Sequence, residues 1–128
     1  AAHDGVVLAF SPADERFASE IHKTLKTSGI PTWMDEFDVM DTKEWVATYD
    51  DALEYSNVLI MILSPEAFKD EDVMAIYQKF WDSGKIIVPL MHKTCDAHLL
   101  DLYMEPVDFR YDTLAGFQRL FHLLRTPK

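Results

Sequence analysis

The side chains best suited to chemistry gather at four places along the chain. Ser11 and Asp14 follow the apolar run Val6-Val7-Leu8-Ala9-Phe10, and Ser64 follows a second run, Val58 to Leu63. Asp70, Glu71 and Asp72 stand just ahead of apolar residues at helical spacing, and His92, Cys95, Asp96 and His98 crowd one segment. Polar groups at the carboxyl end of a buried strand stand where open α/β sheets bind ligands. On position, Phe10, Ser11, Asp14 and Ser64 are the candidate ligand-binding residues. The histidine and cysteine segment has the side-chain types of a zinc site, whose bonds run about 2.0–2.3 Å. A closed site needs a fourth ligand from elsewhere, so the plainer reading is a solvated loop around one half-buried thiol, with no metal expected.

Other chemistries lack their parts. The four glycines, Gly5, Gly29, Gly84 and Gly116, are scattered, so no Gly-rich turn exists to cradle a dinucleotide or a nucleoside triphosphate. No Gly-x-Ser-x-Gly elbow is present. A phosphoacceptor pocket of the receiver type needs acids after strand one, an Asp closing strand three and a Lys closing strand five. Those places carry Ser11 with Asp14, Ser64, and Arg110.

The elements that position these residues follow from patterning. Val6 to Phe10, Val58 to Leu63 and Ile86 to Met91 are continuous apolar runs, as strands buried on both faces require. Ile30 to Met34 reads as a short second strand, placed at an edge by Pro31, and Val107 to Phe109 as a fifth. Ser11-Pro12-Ala13-Asp14 reads as a helix start, with Asp14 where a capping box wants an acid. Phe17, Ile21 and Leu25 form that helix's buried stripe, and Gly29 stops it. A second helix is expected from near Thr42, after the acidic loop Asp35 to Asp41, with Trp45 or Val46, Tyr49, Ala52 and Leu53 facing inward. Ser64-Pro65 repeats the helix-start signature. Val73, Ile76, Tyr77, Phe80 and Trp81 carry the next helix to Gly84, with Asp70, Glu71 and Asp72 at its positive end. His92 to Glu105 is a long loop with room for one short helix. Leu114, Phe117, Leu120, Phe121 and Leu124 make the last helix.

Alternating strands and helices predict an α/β, flavodoxin-like three-layer sandwich: a five-stranded parallel sheet in the order 2-1-3-4-5. Its switch point lies between strands one and three, so Ser11 and Ser64 are expected to face each other across the crevice. The whole chain, 1–128, reads as one domain, with 1–4 a frayed end or a cut from a longer protein. Its 128 residues, 48% hydrophobic, suffice for a two-sided core. The 22 acidic residues outweigh 12 basic ones, for a net charge of −10, a field that repels nucleic acid and anionic membranes. One cysteine, Cys95, excludes an internal disulfide and suits a reducing, cytoplasmic setting.

Three segments in fixed order then carry a family resemblance. Val6-Val7-Leu8-Ala9-Phe10-Ser11-Pro12-Ala13-Asp14 resembles the opening strand and loop of Toll/interleukin receptor (TIR) domains. Gly29-Ile30-Pro31-Thr32-Trp33-Met34-Asp35-Glu36-Phe37-Asp38, followed by Trp45, is similar to their second strand, the loop after it and a helix Trp. Ser56-Asn57-Val58 through Leu63-Ser64-Pro65, then Gly84-Lys85-Ile86-Ile87-Val88-Pro89-Leu90, resembles their third and fourth strands. Cys95-Asp96 and Val107-Asp108-Phe109 resemble the tail of bacterial-type members.

The resemblance implies two activities. TIR domains self-associate or pair with other TIR domains in immune signalling. Many members also cleave NAD⁺ at the nicotinamide–ribose bond, using a glutamate on the helix after strand three. An anionic carboxylate beside a growing oxocarbenium charge is the physical requirement. Ungapped counting from Ser64-Pro65 to Gly84-Lys85 puts that position on Ile76, and the family's common aromatic on Asp72. Asp72 lies one turn before Ile76 and shares its face, so it is the candidate displaced carboxylate, although an acid stabilised by the helix dipole is the plainer account of it. The loop after strand two implies the interface residues Asp38, Val39, Met40, Asp41, Thr42, Lys43 and Trp45. Asp41-Thr42 replace the family's frequent Pro-Gly, and the loop's acids suit a basic partner surface.

The expected function is therefore an assembly domain with weak or absent NAD⁺ hydrolysis; the alternative is an active hydrolase using Asp72 or Glu71. The expected partners are other TIR domains, not nucleic acid or membrane. No tightly bound cofactor is expected, and NAD⁺ is the candidate substrate or ligand. Trp33, Trp45 and Trp81 are expected to pack rather than stack on a ligand.

Overall fold

The computed structural model describes residues 3–34 and 48–125. Strand β1 (His3–Ala9) leads through a 3-10 turn, Pro12–Asp14, into helix α1 (Glu15–Thr27). Strand β2 (Thr32–Trp33) is followed, after residues outside the described range, by α2 (Tyr49–Tyr55) and β3 (Ser56–Leu63). A second 3-10 turn, Ala67–Lys69, precedes α3 (Glu71–Asp82) and β4 (Ile86–Met91). A third, Ala97–Leu99, precedes β5 (Val107–Asp108) and α4 (Thr113–Arg125).

The five strands form one parallel sheet in the order β2-β1-β3-β4-β5, as the alternation of elements requires. Its register sets Val7 beside Trp33 and Leu59, Leu59 beside Ile87, and Leu90 beside Val107. Pleating divides each apolar run between two cores. Val7, Ala9, Leu59, Met61 and Leu63 face Ala52 of α2 and Val73, Tyr77 and Phe80 of α3. Val6, Leu8, Val58, Ile60 and Ile62 face Ile21 and Leu25 of α1 and Leu120 of α4. That double burial is why the strands show no polar alternation.

The ends of α1 and α3 match their sequence signals. Gly29 (φ 85°) and Gly84 (φ 68°) take the left-handed conformation after each helix. Around them Gly29 N–H donates to Lys26 O and Ile30 N–H to Leu25 O, and Gly84 and Lys85 repeat the pattern with Trp81 and Phe80. Four other elements differ from expectation. The second strand is only two residues long, at the sheet edge where Pro31 places it. The helix carrying Tyr49 and Ala52 begins at Tyr49 rather than near Thr42, because Thr48, in extended backbone, and Asp51 form a reciprocal capping box. Ser64-Pro65 opens a turn instead of the helix, and α3 starts only after Asp70, whose Oδ1 accepts the N–H groups of Asp72 and Val73. Asp14 does not cap α1; its carboxyl turns inward. The acidic loop and Phe37 lie outside the described residues.

Candidate functional site

The strand order leaves a cleft at the carboxyl end of β1, bounded by the start of α3, the end of β2 and the start of α2. It encloses about 270 Å³ and is lined by Leu8, Ala9, Phe10, Pro12, Met34, Tyr49, Asp70, Asp72, Val73 and Ile76. Ile76 thus stands in the cleft, partly buried against the core that holds Val73 and Phe80. Asp72 lines the same cleft four residues earlier and is exposed. Asp70 also reaches it, but its Oδ1 is engaged by two backbone N–H groups at 2.9 and 3.1 Å. Among the described lining residues there are two carboxylates and no Lys or Arg.

Of the four ligand-binding candidates, the structure brings Phe10 to this cleft and gathers Asp14 and Ser64 in a second, buried cluster. Ser64 Oγ donates a short hydrogen bond to Asp14 Oδ2 and accepts the N–H of Ala67 at 3.1 Å. Both side chains are removed from solvent. Asp14 Oδ1 makes no close hydrogen bond; Lys93 Nζ stands 3.3 Å from it and His92 Nε2 3.8 Å. Lys93 also reaches Glu66 Oε1 at 3.3 Å, and these partners, Glu66 first, raise its pKa above the ordinary lysine value. The His92 ring stacks on Phe17, 4.1 Å between centroids and 6° from parallel. Burial lowers the His92 pKa below its ordinary value, against the opposing pull of Asp14. Ser11 is buried nearby in sequence, its Oγ accepting the N–H of Ala13 at 3.3 Å, so it serves the turn before α1. The side chain that bonds Ser64 is Asp14, which reaches from the turn after β1 to the end of β3 and supplies the acceptor a buried hydroxyl needs.

The segment of His92, Cys95, Asp96 and His98 does not converge. Among the described residues no three His, Cys, Asp or Glu side chains cluster to hold a metal. Cys95 Sγ faces Met91 Sδ at 3.6 Å, and burial raises its pKa. Asp96 accepts the N–H of His98 at 3.0 Å. Arg110 grips Asp108 through Nε and Nη2 at 2.9 Å each, which holds the Asp108 carboxyl at about 2, and its Nη1 meets Thr94. Trp33 is buried in the core, as expected of a packing residue, and Trp81 lies between Tyr77 and Tyr103. The interface residues Asp38, Val39, Met40, Asp41, Thr42, Lys43 and Trp45 lie outside the described residues. Sequence reasoning missed Lys93, Met34 and Tyr49. Lys93 carried a usable signal, since it follows β4 closely at the carboxyl edge; for Met34 and Tyr49 only the folded chain shows that they line the cleft with Ile76.

Comparisons agree with this geometry. The TIR domain of the Toll-related receptor TRR-2 from Hydra magnipapillata superposes with a TM-score of 0.76 at 22% identity, over 98% of this chain and 100% of that one. The TIR domains of the activated Roq1 resistosome, which directly recognises the pathogen effector XopQ, match with a TM-score of 0.57 at 18% identity, over 93% and 98%. No curated protein matches the chain. No described helix is long and apolar enough to cross a membrane. The TIR domain family's sequence model matches residues 6–121, nearly the whole sheet and its helices, and this chain belongs to the TIR domain family.

Proposed function

We propose that this domain is a signalling module that assembles with other TIR domains, itself included, and turns NAD⁺ over slowly or not at all. The observation that carries the reading is Ile76, an apolar side chain in the cleft at the position where the resemblance puts a catalytic glutamate. An alkyl group cannot stabilise the cation that forms as nicotinamide leaves, and losing a preorganised group aimed at a developing charge costs on the order of 3 kcal/mol, about 10²-fold or more in rate. The lining adds a second support. Asp70 and Asp72 would face a dinucleotide's diphosphate with charge of the same sign.

The test is nicotinamide release by the parent beside Ile76→Glu. The parent is expected to leave NAD⁺ intact, and Ile76→Glu to gain turnover. Light scattering is expected to show oligomers that grow with concentration and weaken on Asp38→Lys. A strict monomer that captures no TIR partner would overturn the assembly reading.

One observation favours a second reading: the Asp72 carboxylate lies in the same cleft as Ile76. In that reading Asp72, or Glu71 beside it, acts as the displaced acid of an active NAD⁺ hydrolase. Rapid nicotinamide release by the parent, abolished by Asp72→Ala, would establish it.

A further inference from the structure

At the edge of the sheet opposite β2, the loop between β4 and β5 carries exposed apolar side chains on a rigid base. Tyr77 of α3 pins it: its hydroxyl donates to the Asp101 carbonyl at 2.8 Å and accepts the Asp101 N–H at 3.1 Å. One turn on, the Trp81 ring stacks beneath Tyr103, 4.7 Å between centroids and 19° from parallel. Tyr103 is nevertheless 85% exposed, and Leu99 69%. Beside Tyr103 opens a cavity of about 230 Å³, lined also by Ala97, His98, Leu100, Glu105 and Pro106. The surrounding charge has one sign. Residues 94–106 contain Asp96, Asp101 and Glu105 and no Lys or Arg, and all three acids are exposed. The flanking cations are already engaged, Lys93 with Asp14 and Glu66, Arg110 with Asp108.

We propose that this loop is a docking surface for a protein segment that presents an arginine or lysine beside an apolar side chain. The apolar side chain enters the cavity beside Leu100 and Pro106. The cation lies over the open face of Tyr103, where the ring's negative face attracts it, and Asp101 and Glu105 neutralise it from the rim. Because Tyr77 and Trp81 already hold the loop in place, little ordering entropy is lost on binding. Charge decides the occupant: a second copy of a chain with net charge −10 brings an unfavourable field to an acidic rim, whereas a basic segment brings a favourable one. The proposal stands apart from the assembly reading, since it rests on the β5 edge of the sheet, and β2 is the opposite edge.

Fluorescence anisotropy on the full chain tests it with three short labelled peptides: one centred on Leu-Arg-Leu, one on Leu-Glu-Leu and one on Ala-Arg-Ala. The first is expected to bind in the micromolar range and to weaken as salt is raised. The glutamate peptide is expected to bind at least about fivefold more weakly. Tyr103→Ala, which keeps the charge, is expected to weaken the first peptide roughly two- to fivefold. Both Tyr103 and Leu99 are exposed, so Tyr103→Ala and Leu99→Asp are expected to fold, with circular dichroism as the check. Equal binding of all three peptides, or of parent and Tyr103→Ala, would overturn the proposal, as would no binding at all. Self-association of the parent that Leu99→Asp abolishes would assign the face to a second copy instead and equally overturn it.

Discussion

Removing the Asp14 carboxyl tests the buried cluster most directly. In Asp14→Ala the Ser64 hydroxyl keeps its bond from Ala67 but loses its only acceptor among the described contacts, in a site closed to water. A buried donor left without an acceptor costs about 1–3 kcal/mol. The vacated space adds a cavity contribution, so we expect a total of about 2–4 kcal/mol. At this chain length that corresponds to a fall in Tm of roughly 8–16 °C. Asp14→Asn keeps an oxygen for Ser64 but turns an amide donor toward Lys93 and His92, and is expected to cost about 1–2 kcal/mol. Ser64→Ala is expected to cost about 1–2 kcal/mol, because it removes both bonds of the hydroxyl. The decisive quantity is the coupling. In the double variant no hydroxyl is stranded, so its cost should fall at least about 1 kcal/mol short of the sum of the two single alanine variants. Urea unfolding with a constant m-value measures all of these. An additive cycle, or an Asp14→Ala variant within about 0.5 kcal/mol of the parent, would refute the account.

Further outcomes follow from other contacts. Burial lowers the folded-state pKa of His92, so the unfolded chain binds more protons just below the unfolded value of about 6.5. The parent should therefore lose stability as pH falls through that window, and His92→Phe, which keeps the stack on Phe17, should flatten the loss in a pH series of urea midpoints. Gly116 lies against Phe109, where an added Cβ would come within 2.8 Å of ring atom Cδ2. Gly116→Ala is thus expected to destabilise by about 1–3 kcal/mol despite its better helix propensity, as thermal unfolding would show. Tyr77→Phe removes both hydroxyl bonds to Asp101 and should cost about 1–2 kcal/mol, with faster amide exchange at Asp101 as the local readout.

The sheet was legible because two-sided burial writes itself as unbroken apolar runs, and alternation with helices left few strand orders to choose from. Val58 to Leu63 is the plainest instance, central in the sequence reading and central in the sheet. Helix ends were legible where the signal is local, as at Gly29 and Gly84. Asp14 was not, because its residue type and spacing fit a capping box while its actual partner, Ser64, lies 50 residues away. Ser64 misled for the same reason: its hydroxyl holds a turn and a distant carboxylate instead of opening a helix. At the cleft, the four-residue spacing of Asp72 and Ile76 put both on one face of α3, and both line it. The contributions of Met34 and Tyr49 depend on β2 and α2 converging on β1, which no local pattern encodes.

Helix α3 touches both of the surfaces that matter. Near its start Val73 and Ile76 form a wall of the cleft, and near its end Tyr77 and Trp81 support the loop that bears Tyr103. It spans only 12 residues, so a rigid tilt or slide cannot be confined to one end. An occupant of the cleft that displaces this helix therefore alters the seat of Tyr103, and a partner on Tyr103 that displaces it alters the cleft. Thermodynamic linkage requires each occupant to change the other's affinity by the same factor.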